Sequence, residues 1–149
     1  MIVLDTNVFS ELMRPVPEAR VLNWLANEPR SALFTTAVTR GEILYGIWSM
    51  PAGARRQRFW DATQSIFSED FAGRVLSFDN DAADAFAEIS ASRKSAGKPI
   101  SQFDAMIAAI VRSCGATLAT RNVKDFIECG IEIINPWDAE ACDIPRPSV

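Results

Sequence analysis

The chain has 149 residues, 48% of them hydrophobic and 23% charged, the proportions of one soluble globular domain with a core of its own. Its formal net charge of −4 argues against a protein that coats nucleic acid non-specifically, while leaving room for local basic patches. It contains no histidine, which excludes Ser-His-Asp and Cys-His catalysis, histidine zinc sites and imidazole general bases together.

Any chemistry must therefore rest on carboxylates, on Lys, Arg, Tyr or Cys, or on a bound metal. Cys114, Cys129 and Cys142 have no CxxC spacing and read as reduced thiols of a cytoplasmic protein, two of them in or near the core. No apolar run approaches the roughly 18 residues needed to span a bilayer. The N-terminus enters a strand directly, without the basic-then-apolar layout of a signal peptide.

In chain order, Ile2 to Leu4 predicts a short central strand, and Val8, Phe9 and Leu12 resume at helical spacing until Pro15. A second helix is predicted over Arg20 to Asn27, a strand over Leu33 to Thr36, and a helix from about Thr39 to Trp48 that Pro51 and Gly53 end. A helix over about Ala54 to Phe67, a strand over Val75 to Phe78 and a long helix over Asp81 to Ser95 follow. The spacing of Phe103, Met106, Ile107, Ile110 and Val111 predicts one apolar face on a helix from Phe103 to Cys114, closed by Gly115. Strands at Thr117 to Thr120 and Ile131 to Ile134 enclose a short helix near Val123 to Cys129, and the tail from about residue 138 should be irregular. Strands separated by helices imply βαβ units: one α/β domain over residues 1–149, with a parallel sheet covered on both faces.

Four acidic positions recur at the junction of a strand end with a helix start. Asp5 follows the first strand in Leu4-Asp-Thr-Asn7. Glu42 and Asp104 stand in Thr39-Arg-Gly-Glu42 and Ser101-Gln-Phe-Asp104, both of the form that caps a helix. Asn122 and Asp125 follow the strand at Thr117 to Thr120. Each alone also reads as turn or N-cap chemistry. Together they fall on one edge of a parallel sheet, where carboxylates repel one another unless a cation sits among them. Oxygen-only ligands select Mg²⁺ or Mn²⁺ over zinc.

This ordered set resembles the PIN domain, in particular the VapC-type toxins of bacterial type II toxin–antitoxin systems and their FitB-like branch: Asp5-Thr-Asn after the first strand, Glu42 in a helix, Asp104 opening another, and Thr120-Arg-Asn-x-x-Asp-Phe126. The resemblance runs from Met1 to Asn135-Pro-Trp137. It implies a three-layer α/β fold with a central parallel five-stranded sheet of order 3-2-1-4-5. It also implies a cytoplasmic, Mg²⁺- or Mn²⁺-dependent endoribonuclease, neutralised by a VapB-type antitoxin and homodimeric within the complex. Asp5, Glu42 and Asp104 match the three acids of the PIN motif and are the implied metal ligands. At the fourth catalytic position, where many relatives carry Asp, this chain offers either Asn122 or Asp125.

Other features have two readings each. Asp79, Asp81 and Asp84 fit an N-cap and first-turn acids. Leu44, Tyr45 and Trp48 fit the core, or a groove for an antitoxin helix. Arg55, Arg56 and Arg58 form one basic cluster and Arg93, Lys94 and Lys98 another, each readable as a solvated helix face. Arg14, Arg40 and Arg121 lie near the acids in sequence and fit either solvated surface or phosphate contacts. Two other functions compete with the nuclease. An Asp-nucleophile phosphotransferase needs Asp-x-Asp after the first strand, where this chain has Asn7. A phospho-acceptor receiver needs paired acids before the acceptor strand and a Lys after the last one, and has neither.

Overall fold

The computed structural model describes residues 1–138, so the expected irregular tail, with Cys142, lies outside the described residues. The elements are β1 (Ile2–Leu4), α1 (Thr6–Leu12), α2 (Ala19–Ala26), β2 (Leu33–Thr36), α3 (Ala37–Trp48), α4 (Ala54–Ser65), β3 (Val75–Leu76), α5 (Asn80–Ser95), α6 (Gln102–Ser113), β4 (Thr117–Ala119), α7 (Val123–Phe126) and β5 (Glu132–Ile134). All strand pairs are parallel and the sheet runs 3-2-1-4-5, the order expected.

β1 is the middle strand, and its side chains alternate between the two helical layers. Val3 enters a core with Ile107, Ile110, Val111, Leu118 and Ile89, beneath α5 and α6. Leu4 enters the opposite core with Val8, Phe9, Val21, Ile43, Ile47 and Phe67, beneath α1 to α4. Register then aligns the strand ends: Leu4 pairs with Ala119, and the Asp5 amide donates to the Ala119 carbonyl at 2.9 Å. Asp5 is thereby set beside Thr120.

Several local expectations change. α3 begins at Ala37 rather than Thr39, because Thr36 is the residue whose hydroxyl caps the helix, accepting from the Thr39 amide at 3.0 Å. Glu42 is therefore past the first turn and is not part of a capping box. α7 is one turn long and β3 has two residues, both shorter than expected. On α6, Phe103 is exposed rather than packed with Ile107, Ile110 and Val111. Asp79 does cap α5, accepting from the Ala82 amide at 2.9 Å, and Gly115 takes φ +61° after α6. Cys129 is buried and Cys114 exposed.

The second basic cluster is not a surface patch, since Arg93 is only 5% exposed. Its guanidinium donates to the carbonyls of Lys98 (2.7 Å), Asp125 (2.9 Å) and Ile127 (2.8 Å), tying the end of α5 to the segment around α7. Those carbonyls lie in loops or in the one-turn helix α7, too short to satisfy its own carbonyls, which explains why a charged side chain is buried there. Arg93→Ala should destabilise the protein by about 3 kcal/mol in urea unfolding, because it strands three partly buried acceptors. Lys98→Ala, which removes only an exposed pair with Glu128, should stay within about 0.5 kcal/mol. Equal effects would mean that Arg93 is not the tie.

Candidate active site

The site is built where β1 and β4 end. Asp5 caps α1 and is 3% exposed, an uncommon position for a carboxylate. The Thr6 amide donates to its Oδ1 at 2.8 Å. The Thr120 hydroxyl donates to its Oδ2 at 2.7 Å and the Asn7 side-chain amide does so at 3.3 Å. Thr120 Oγ1 in turn accepts from Asn7 Nδ2 at 3.3 Å and from the Asn122 amide at 3.0 Å. A carboxylate has about four lone-pair sites, so three donors leave room for a cation.

Glu42 is held from another direction. The Thr6 hydroxyl donates to Glu42 Oε1 at 2.8 Å and lies 3.1 Å from Thr39 Oγ1. Thr6 has one hydroxyl proton and gives it to Glu42, so Thr39 is the donor to Thr6. Asp104 sits in the first turn of α6, its own amide capped by Ser101 Oγ at 3.2 Å, as the sequence predicted. Asp125 lies in the first turn of α7 and acts electrostatically on Asp104. Asn122 stands at the N-cap of α7, but its side chain makes no capping hydrogen bond.

The electrostatics of the cluster run one way. Burial pushes the Asp5 carboxyl up from 3.8 to about 6; hydrogen bonds from Thr120 and Thr6 oppose this, and the charges of Asp104 and Glu42 add to it. Burial also raises Asp104, opposed by the Ser101 hydrogen bond and reinforced by Asp125. The charges acting on Asp5 are thus both acidic. Among the described residues no three Asp, Glu or Cys side chains are yet gathered into a cluster that could hold a metal ion. The charges of Glu42 and Asp104 bear on Asp5, and that of Asp125 bears on Asp104. All-oxygen donors with uncompensated negative charge have the chemistry for a hard divalent cation, and Asp5, Glu42 and Asp104 are the residues that could hold one.

Asp5, Glu42, Asp104 and Asp125 are therefore brought into one electrostatic neighbourhood, with Asn122 attached through its backbone to Thr120. Sequence reading did not find the hydroxyl framework of Thr6 and Thr39. A signal was present in Asp5-Thr6, a hydroxyl adjoining the buried acid. Beside Glu42 lies a groove of about 860 Å³ lined by Ala37, Val38, Gly41, Tyr45, Phe103 and Met106. Tyr45 is 76% exposed and Trp48 58%, so neither is a core residue. Trp48 instead packs on Trp60 and beneath Arg56.

Comparison with known proteins agrees with this geometry. Residues 2–130 match the PIN domain. The chain is 41% identical over 138 residues to VapC ribonuclease Y4jK of Sinorhizobium fredii, covering 93% of this chain and 99% of that protein. It is 34% identical over 137 residues to toxin FitB of Neisseria gonorrhoeae, covering 92% and 99%. Its fold matches a structure of FitAB bound to an IR36 DNA fragment with a TM-score of 0.88 at 34% identity, over 94% of this chain and 98% of that one. An α/β sheet with acids along its carboxyl edge and these relatives define one class: the chain belongs to the PIN-domain family, in the branch that includes VapC and FitB.

The raised Asp5 pKa makes a prediction about stability. A buried acid of this kind costs nothing below its unfolded value near 3.8; the cost grows as pH rises and is complete above about 6. Metal-free protein should therefore gain stability as pH falls from 7 towards 4 through this group. Asp5→Asn should lack that gain and should melt higher than the parent at pH 7. The full ionisation cost is about 3 kcal/mol, but an amide cannot accept from all three donors, so a net gain of about 1–2 kcal/mol is expected. Thermal melts in EDTA between pH 4.5 and 7.5 test this, and parallel curves for the two proteins would contradict the burial of the charge.

Proposed function

We propose that this protein is the toxin of a type II toxin–antitoxin system. In this reading it is a Mg²⁺- or Mn²⁺-dependent endoribonuclease, acting in the cytoplasm on RNA phosphodiester bonds and neutralised by a VapB-type antitoxin. The observation that carries the reading is Asp5: a carboxylate buried at the end of the central strand, acted on by two further acids and by no base. Its relatives, named as a ribonuclease and a toxin, point the same way. A phosphotransferase is disfavoured because Asn7 stands where such enzymes need a second Asp, and its amide is spent on Asp5 and Thr120.

Asp5, Glu42 and Asp104 are the metal holders in this mechanism. A bound Mg²⁺ or Mn²⁺ supplies a water of lowered pKa and neutralises charge on the scissile phosphate. Thr120 and the Thr6 amide keep Asp5 oriented, while Thr6 and Thr39 keep Glu42 oriented, so the ligands need little reorganisation. Asp5 must be ionised to hold the ion, so affinity falls as pH drops below about 6. The charge that Asp125 exerts on Asp104 supports Asp125 for the fourth position. Asn122 can contribute an amide oxygen but no charge.

Purified protein incubated with a mixed RNA pool should cleave it with Mg²⁺ and leave it intact with EDTA. Asp5→Asn and Asp104→Asn should each lower cleavage by about 100-fold or more with the fold retained, and Glu42→Gln should be severely impaired. Asp125→Ala should be more damaging than Asn122→Ala. Cleavage by Asp5→Asn at the parent rate would rule out the site, and cleavage in EDTA would rule out the metal.

The groove beside Glu42 suits the apolar part of an antitoxin segment, with an Arg or Lys continuing to Asp5, Glu42 and Asp104 in place of the metal. Its lining supports a contact at Tyr45 and Phe103 rather than at Leu44 and Trp48. A homodimer carrying two such sites suits assembly with the antitoxin. The chain expressed alone should arrest bacterial growth, and its antitoxin should relieve the arrest. Tyr45→Ala with Phe103→Ala should weaken antitoxin binding by about tenfold or more. Raised Mg²⁺ should weaken inhibition as well. Unchanged binding after both substitutions would place the contact elsewhere.

A further inference from the structure

A polyanionic substrate approaching this site meets an acidic edge on a chain of net charge −4, so cations near the acids must hold its backbone. Several arginines are committed elsewhere. Arg93 is buried against loop carbonyls. Arg112 pairs with Glu88, and Arg74 donates to the carbonyls of Arg30, Leu33 and Asp70. Arg40 lies over Phe67, Arg55 over Phe59 and Arg56 over Trp48, a stacking that Arg121 shares over Trp137.

Arg121 differs because it is wired to the acids through one residue. Its amide donates to Asn7 Oδ1 at 3.2 Å, and the other end of that same side chain donates to Asp5. Its guanidinium lies 5.1 Å over the ring of Trp137, whose carbonyl accepts from Arg20 at 3.3 Å. Stacking fixes the plane of the guanidinium while leaving its edge for ligands. Arg14 lies two residues past the end of α1, where Asn7 and Glu11 stand at i and i+4 on one face. Glu11 is 7% exposed, accepts from the Glu18 amide at 2.8 Å and pairs with Arg14 at 3.2 Å. It also feels the charge of Arg121. From Asn7 to Glu11, the residue Arg14 pairs with, the helix rises about 6 Å, the reach of about one nucleotide of an extended strand.

We propose that Arg121 and Arg14 form a phosphate-binding strip for the RNA backbone next to the scissile phosphate, on the α1 side of the acidic site, with Glu11 paired to Arg14. The proposal rests on the ribonuclease reading. It gives the substrate a direction: the strand leaves the acids along α1, away from the groove at Tyr45 and Phe103.

The test is steady-state cleavage of a fluorescent RNA oligonucleotide by the full chain at saturating Mg²⁺, across a salt series. Arg121→Ala and Arg14→Ala should each raise KM by about tenfold, far more than they change kcat. Each should reduce the slope of log KM against log salt by about 0.7, the value for one lost contact to a single strand. Arg121→Lys keeps the charge without the stacked fork, so it should restore the slope and only part of KM. Arg58→Ala, on α4, serves as the control and should match the parent. If Arg121→Ala lowers the melting temperature but leaves KM and slope at parent values, Arg121 merely anchors Trp137 and the proposal is overturned. Parent KM and slope in Arg14→Ala would remove Arg14 from the strip. Failure of the parent protein to cleave RNA with Mg²⁺ would instead overturn the ribonuclease reading itself, and the two failures are told apart by the parent measurement.

Discussion

A carboxylate buried at the end of the central strand is the constraint around which the rest of this structure is arranged. β1 has only three residues, and both Val3 and Leu4 are fully buried, so Asp5 cannot swing into solvent without unpairing the strand. Parallel register with β4 sets Thr120 beside it, and the turn into α1 points the Thr6 amide at it. The net effect is still unfavourable, since burial outweighs those hydrogen bonds and leaves the carboxyl at about 6. A fold that keeps such a charge without a neighbouring base holds strain in the electrostatic sense, which a cation relieves.

The hydroxyl groups around the acids divide the labour with some economy. Thr120 donates to Asp5 while accepting from Asn7 and from the amide of Asn122, so one side chain couples the ends of β1 and β4 to the start of α7. Thr6 offers its amide to one acid and its hydroxyl to another, joining Asp5 to Glu42 through a single residue. Threonine suits these positions because its branched side chain has few rotamers and its hydroxyl both donates and accepts. Neutral donors orient the acids without cancelling their charge. Lysine or arginine in the same places would neutralise the site.

Legibility in the sequence followed the range of each interaction. β1 and β2 matched their predicted bounds because short β-branched and apolar runs are bounded by turn residues, and the caps of α5 and α6 were visible because capping is local. The strand order came from resemblance rather than from periodicity. The start of α3 was misplaced because Thr36 and Thr39 are both plausible caps, and only the end of β2 decides between them. The bonds from Thr6 to Glu42 and from Arg93 to Asp125 and Ile127 span more than thirty residues, and no local pattern encodes them. Phe103 fitted the apolar stripe of α6 by spacing, yet it is the second residue of the helix, beyond the edge of the core.

Placing acids and an apolar groove side by side has a physical consequence. Glu42 lines the groove, so a ligand seated at Tyr45 and Phe103 lies beside one of the acids. Apolar contact there supplies affinity, while a cation on the same ligand is favoured by the uncompensated charge around Asp5. The two contributions act on different partners. RNA is a polyanion that meets repulsion from the acids until a metal intervenes, whereas a peptide with one basic side chain meets attraction at once. The same unpaired carboxylates that would hold the proposed metal therefore also favour a basic peptide inhibitor. Under that proposal, competition between metal and peptide would follow the charge of Asp5, whose carboxyl burial raises to about 6.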